Sequence, residues 1–434
     1  MASFSALKID TGSFLHSLFR EDGQTVTQET EILWQRLEPL REQLSSKTDA
    51  TLPAFVQIAN MADQCGTSRL WKQRIQDSAQ TLVVLGIGGS SLGAEMLTSS
   101  VGGGTKRVLF FDNVDPTTLN HMGSIQWEDA FLLIVSKSGG TAETLSQFLS
   151  LLPTLEKRHP SLLRERTAVI TENRAGALHA IAQDLSLPVI THPSVGGRFS
   201  VLSVVGLIPA AFTNVDIETL IEGAQSVVAA TAHSSLNDPS PLQMALAQYT
   251  MARSGMPLSV QFVYADKLRS IPSWFAQLWA ESLGKKQSER ERFGLTPVTA
   301  RGVTDQHSQL QLYLDGPRDK QFTMINDPTL VQQGDLIDDR FAHLEAVAPL
   351  AGKRTGQLFD AEFRGTRDSL INNDMPVRTF SLPGCNALAL GQLIMYLELE
   401  TFFVAALAGI DAFDQPAVEE SKVRAKHYLA HSSN

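Results

Sequence analysis

Two glycine-rich runs carry hydroxyl side chains in a spacing that suits phosphate chemistry. The first, Leu85-Gly86-Ile87-Gly88-Gly89-Ser90-Ser91-Leu92-Gly93, directly follows the apolar stretch Thr81–Leu85. Its glycines let the backbone take conformations closed to other residues, and the backbone at Gly88 and Gly89 can approach a ligand closely. Ser90 and Ser91 add hydroxyls, and a helix opening near Ser91 offers free N–H groups at its positive end. A plain turn between strand and helix is the alternative reading. The second run, Ser136-Lys137-Ser138-Gly139-Gly140-Thr141-Ala142-Glu143-Thr144, repeats the design with a cation added. Its alternative reading is helix capping, with Thr141 and either Glu143 or Thr144 as the cap. Loops after neighbouring parallel strands share one sheet edge, where ligands bind. Hydroxyls crowded round a compact dianion suit a phosphate monoester.

A dinucleotide reading fits less well. Gly86-x-Gly88-x-x-Ser91 approximates the glycine fingerprint, and Asp112 stands where a ribose-binding acid would. The third glycine is replaced by serine, however, and the second hydroxyl run has no role in that scheme. No Gly-Lys-Ser/Thr follows at P-loop spacing. Further along, Gly196-Gly197-Arg198-Phe199 holds an arginine on a glycine turn ahead of an apolar run to Phe212. Gln277 and Glu281 stand one helical turn apart on a common face. Thr304-Asp305-Gln306-His307-Ser308-Gln309 contains a lone histidine. Taken singly, the arginine reads as a surface cation, the glutamate as solvated and the histidine as structural. No His/Cys/Asp cluster has metal-ligand spacing, so no metal is expected.

These residues need elements to position them. The runs TLVVL (81–85), RVLFF (107–111), FLLIV (131–135), TAVIT (167–171) and PVIT (188–191) are nearly all apolar, as in parallel strands covered on both faces. Helix-like segments between them imply right-handed βαβ crossovers. A second, less regular unit offers SVQFVYA (259–265), QLQLYL (309–314), QFTMIN (321–326) and VRTFSL (377–382) as strands, with 265–293 largely helical. Residues 1–78 read as helical. The expected divisions are a helical segment 1–60, a first α/β unit 61–215, a second 216–385 and C-terminal helices 386–434.

Composition sets bounds on function. The chain has 434 residues, 43% hydrophobic and 19% charged, which supports a sizeable core. A net charge of −10 argues against a nucleic-acid or anionic-membrane binder. The two cysteines, Cys65 and Cys385, build no disulfide framework and suit a reducing cytoplasm. The apolar stretch from Asn386 to Gly409 carries Glu398 and Glu400 and reads as a buried helix rather than a membrane span.

With its motifs in order, the chain resembles the phosphoglucose isomerase family. The resemblance covers most of residues 55–425 and rests on GIGGSSLGAEML, SKSGGTAETL, GGRFSVLSVVGL, QLWAESLGK with TDQHSQ, and FDQPAVEESK. It implies an α/β fold of two tandem sugar-isomerase (SIS) α/β/α sandwiches with parallel sheets, a helical N-terminal segment and C-terminal helices. It implies reversible isomerisation of glucose 6-phosphate and fructose 6-phosphate, without cofactor, through a cis-enediol. The phosphate ligands would be Ser90, Ser136, Lys137, Ser138 and Thr141. Glu281 would be the base, with Gln277 one turn earlier, and Arg198 would stand beside the reacting carbons. His307 would serve ring opening, with Lys422 at the ring oxygen and Gln415 in the same segment. It further implies a homodimer in which His307 crosses to the neighbouring subunit. Two rival readings are a non-catalytic sugar-phosphate-binding regulator and a dinucleotide-dependent oxidoreductase. Residues 285–293, KKQSERERF, are more charged than the turn of bacterial relatives, and 315–375 carries no recognisable motif.

Overall fold

The computed structural model describes residues 6–19, 27–46, 52–60, 62–172 and 176–431. An N-terminal strand, β1 (Lys8–Asp10), precedes a first sheet of β2 (Thr81–Leu85), β3 (Arg107–Phe111), β4 (Ala130–Val135), β5 (Thr167–Thr171) and β6 (Val189–Thr191). Its order is β3-β2-β4-β5-β6, parallel throughout. All five expected strands are present here. Alternation explains the burial: Val83, Leu85, Leu132 and Ile134 face Phe148 and Leu155 of helix Ala142–Arg158. Leu82, Val84, Leu133 and Val135 face Ile208 and Phe212 of helix Val204–Phe212. The edge strand β3 is the exception, with Arg107 and Leu109 exposed.

The second unit holds β7 (Leu258–Tyr264), a hairpin of β8 (Lys285–Lys286) with β9 (Arg292–Phe293), β10 (Thr296–Arg301), β11 (Lys320–Asn326) and β12 (Val377–Ser381). The sheet order is β10-β7-β11-β12-β1. Strands β10, β7, β11 and β12 are parallel, and β1 closes the edge antiparallel to β12. Both sheets therefore share one winding. A central strand (β2 or β7) is followed by an edge strand (β3 or β10), then by two strands on the far side (β4, β5 or β11, β12).

Three expectations from the sequence are corrected, and one strand is added. QLQLYL is not a strand: Leu310–Asp315 is a helix. Leu310, Tyr313 and Leu314 all pack on one cluster, and that i, i+3, i+4 spacing belongs to a helix. The N-terminal 78 residues are not all helical, because Lys8–Asp10 pairs with β12; three residues are too few to show a period. The other four strands of that sheet are parallel, as expected. Strand β10 has no apolar run to mark it, since Thr296-Pro297-Val298-Thr299-Ala300-Arg301 is polar and contains a proline, which an edge strand tolerates. Helix over 265–293 ends at Leu283, and the β8–β9 hairpin follows.

Helix Ala387–Ala408 is long and apolar enough to cross a membrane, yet it is a core helix, with 83% of its apolar window buried in the fold. It packs against helices Ile217–Ala232 and Pro241–Arg253. Close approach depends on glycine: a Cβ on Gly391 would stand 1.9 Å from the Leu220 carbonyl oxygen, and one on Gly223 2.2 Å from that of Leu388. Burial of Leu390, Leu393, Ile394, Leu397 and Phe403 contributes roughly 1.5–3 kcal/mol apiece. The helix also encloses Glu398 and Glu400. The second carboxylate is paired, since Arg378 donates to Glu400 at 2.7 Å and Gln248 does so at 2.9 Å.

Candidate active site

The register of the first sheet sets Leu85 beside Ile134, so the loops leaving β2 and β4 emerge side by side. After β2 the chain makes a tight turn over Gly88–Ser90, with Gly88 at φ +60°, and then enters helix Leu92–Val101. This turn is pressed against two other elements. A Cβ on Gly88 would lie 2.9 Å from Nε2 of Gln277, and one on Gly89 would lie 2.2 Å from the Gly197 carbonyl carbon. Only glycine permits both approaches. Ser91 is buried and donates back to the Gly88 carbonyl at 3.2 Å, so of the two serines it is Ser90 that faces outward.

After β4 the chain turns at Gly139, φ +66°, into helix Ala142–Arg158. Thr141 occupies the N-cap position but its side chain caps nothing. Its hydroxyl instead pairs with Ser136 Oγ at 2.8 Å, and Ser138 Oγ accepts from the Gly140 N–H at 3.2 Å. Capping does not explain these hydroxyls. Lys137 reaches Glu172 Oε1 at 3.7 Å, a loose pair that leaves the ammonium accessible. His192, buried at the end of β6, hydrogen-bonds the Pro193 carbonyl through Nδ1 at 2.7 Å. Burial lowers its affinity for a proton, the Lys137 charge adds to this and Glu172 opposes it. A neutral imidazole therefore backs the lysine.

Arg198 is the centre of the second cluster. Although only 3% exposed, it finds an acceptor for every group of its fork. Nε donates to Ser282 Oγ at 2.9 Å. Nη1 donates to Glu281 Oε2 at 3.2 Å and to Gln415 Oε1 at 2.9 Å. Nη2 donates to the carbonyls of Ala412 and, at 2.9 Å, Asp414. Burial pulls the guanidinium below its usual range; Glu281, Asp414 and Asp411 oppose this. Gln277 Nε2 donates to the other oxygen of Glu281 at 3.2 Å. Helix Ile271–Leu283 sets that pair at i, i+4, with Trp274, Phe275, Leu278 and Trp279 buried behind it. Glu281 itself is about a third exposed, so its carboxylate is both held and accessible. From the hairpin side, Lys285 pairs with Asp414 Oδ1 at 2.7 Å and also donates to that residue's carbonyl. The segment from Ala412 to Gln415 is thus clasped by two cations.

The structure brings together Gly88, Gly89, Gln277, Glu281, Arg198 and Gln415 by direct contact, with the Ser136–Thr141 loop on the same sheet edge. It does not join His307 or Lys422 to them. His307 lies exposed at the end of the turn Thr304–His307. Lys422 lies on helix Glu419–His431, which buries no residue, and pairs with Glu419 at 2.7 Å. Ser282, Asp414, Lys285, Glu172 and His192 were not singled out from the sequence. Each acts through a partner at least 35 positions away, Ser282 through Arg198 among them, except His192, which bonds the neighbouring Pro193 carbonyl.

A family model described as phosphoglucose isomerase matches residues 40–434. The glucose-6-phosphate isomerase of Rubrobacter xylanophilus is 36% identical over 386 residues, 85% of this chain and 87% of that one. That of Thermus thermophilus is 36% identical over 353 residues, 81% of this chain and 84% of its own. Among solved structures, hypothetical protein TT0462, also from Thermus thermophilus, superposes with a TM-score of 0.83 at 32% identity, covering 98% of this chain and 100% of that one. A glucose-6-phosphate isomerase from Chlamydia trachomatis shares the fold, with a TM-score of 0.69 at 20% identity over 96% of this chain and 78% of its own.

Proposed function

The chain belongs to the phosphoglucose isomerase family and interconverts glucose 6-phosphate and fructose 6-phosphate, and we propose that it does so through a cis-enediol with Glu281 as its single base. The observation that carries this mechanism is the joined set Gln277–Glu281–Arg198 pressed against the Gly88–Gly89 turn. Isomerisation moves one proton between C1 and C2. A carboxylate lying along the enediol takes the proton from one carbon and returns it to the other, so one base serves both half-reactions. As the proton leaves, negative charge grows on the C1 and C2 oxygens. The guanidinium of Arg198, held in place by five acceptors, stabilises that charge electrostatically through its own fixed positive charge. Gln277 holds the second carboxylate oxygen and orients the base.

The phosphate is bound away from the reacting carbons by Ser90, Ser136, Lys137, Ser138 and Thr141. A dianion displaces Glu172 as the partner of Lys137, and its binding energy serves to orient the sugar. Ring opening needs proton transfer at the ring oxygen and O1. His307, donated by the neighbouring subunit of a homodimer, and Lys422 supply it. The dimer works in the cytoplasm, as a glycolytic enzyme. With Arg198 in the electrophile's role, activity is expected to survive exhaustive chelation, measured in a coupled assay from fructose 6-phosphate.

The deciding experiment is Glu281→Gln. The amide is nearly isosteric but cannot accept a carbon-bound proton, and removal of a general base costs roughly 10²–10⁴-fold in turnover. Retention of more than a tenth of wild-type kcat would refute the assignment.

A further inference from the structure

The shared winding of the two sheets creates a second crevice. In the first unit the substrate loops follow β2 and β4; in the second unit the equivalent loops follow β7 and β11. Ligands of open α/β sheets bind in such crevices outside the carboxyl ends of the strands. A cavity of about 420 Å³ opens there, and its lining includes Ala265, Lys267, Leu330, Phe359 and Cys385. That size and mainly apolar lining are those of a small-molecule site.

Its chemistry is unlike that of the first crevice. Where the first has Ser136, Lys137 and Thr141, the second has Asp327 and lacks that cluster of hydroxyls. Asp327 is internally satisfied. Oδ1 accepts from the Thr329 N–H at 2.9 Å, its hydroxyl at 2.7 Å and the Gly384 N–H at 2.9 Å, and Oδ2 takes the Cys385 thiol at 3.4 Å. The thiol, pushed up to about 12 by burial and by Asp327, keeps its proton and adds no charge. Asp266 is drawn off by Arg301 at 2.8 Å. Lys267 remains on the rim with no hydrogen bond or ion pair among the described residues. The cavity is thus an apolar chamber with one uncommitted cation at its mouth.

We propose that this crevice is a second ligand site, for a small molecule with an apolar body seated between Leu330 and Phe359 and a single anionic group on Lys267. The site does not rest on the isomerase mechanism above. It does have a lever on it, because the loop lining the cavity at Ala265–Lys267 runs directly into helix Ile271–Leu283, which carries Gln277 and Glu281.

The test uses two fluorescent probes of similar body on the full-length protein: anionic anilinonaphthalenesulfonate and neutral phenylnaphthylamine. The anionic probe is expected to bind in the presence of saturating fructose 6-phosphate. Lys267→Met, an exposed substitution, should weaken the anionic probe about tenfold and leave the neutral one unchanged, and Lys267→Arg should restore the preference. Displacement by fructose 6-phosphate, equal loss of both probes, or no effect of Lys267→Met would each overturn the site. With the probe bound, kcat at saturating sugar phosphate is expected to change in the wild type and not in Lys267→Met. An unchanged kcat would remove the lever.

Discussion

Arg198 sets the character of the site because a planar fork with fixed donors can satisfy acceptors on two separate chain segments, 281–282 and 412–415, at once. Its Nε–H ends on Ser282, a fully buried hydroxyl adjacent to the base. Ser282→Ala leaves that donor unpaired in a dry environment, which costs about 1–3 kcal/mol. In the proposed mechanism, loosening of the guanidinium weakens stabilisation of the enediolate more than binding of the sugar. Turnover is therefore expected to fall roughly five- to a hundredfold with little change in KM. A steady-state comparison decides it, and a rise in KM alone would contradict the positioning role. Lys137 predicts the opposite split. In the proposed mechanism it binds the phosphate, which does not react, so Lys137→Met should raise KM by roughly tenfold or more while kcat is largely kept. Gln277 and Glu281 are legible in the sequence because four residues make one helical turn. The partnership of Arg198 with Gln415 is not, since 217 positions separate them.

Among the elements, the glycine turn after β2 depends on the smallest side chain. Gly89→Ala would put a carbon 2.2 Å from the Gly197 carbonyl carbon, so the turn must withdraw from the strand of chain that holds Arg198. Loss of isomerase activity with a lowered unfolding temperature is the expected result, since the clash is with backbone; full activity would show that the contact is not needed. Helix Ala387–Ala408 supplies a stability prediction. Glu398 is fully enclosed and neither of its carboxyl oxygens has a hydrogen-bond partner among the described residues. Burial alone raises its pKa well above the ordinary 4.5. The folded protein thus holds a proton that the unfolded chain releases. Stability from this group is complete below pH 4.5 and declines as pH rises toward the folded-state value, by up to about 1.4 kcal/mol per pH unit. Glu398→Gln cannot ionise and should flatten that decline. Thermal unfolding compared at about pH 5 and about pH 9 will test it, and parallel pH profiles for the two proteins would refute it. The helix itself is readable as a long apolar run, whereas its glutamates gave no sign that one is ion-paired and the other isolated.

For the whole molecule, the proposed mechanism requires His307 to reach Glu281. In one chain the histidine is exposed on the second unit and touches none of the clustered residues. If it is donated across a two-fold interface, a dimer has two equivalent composite sites. Mixing His307→Ala with Glu281→Gln under subunit exchange then yields heterodimers with one doubly damaged site and one intact site. Recovery of up to half of wild-type activity per heterodimer is expected. If heterodimers form by mass and no activity returns, the shared site is wrong.

What the sequence determined by itself is whatever depends on near neighbours. The strands of the first sheet, both hydroxyl loops and the Gln277–Glu281 turn follow from apolar runs, glycine spacing and the helical period, all of which act within about ten residues. Tertiary structure decided the rest. Strand β1 exists because β12 offers it an edge; β10 persists despite its polar sequence because β7 supplies the ladder; Leu310–Asp315 is helical because Tyr313 packs with Phe262 and Phe322. The Arg198 network likewise came from folding, which carried residues 198, 281, 282 and 412–415 to one place. A one-dimensional pattern encodes periodicity, but a buried cation chooses its acceptors by three-dimensional proximity, since each unmet donor in the interior would cost free energy.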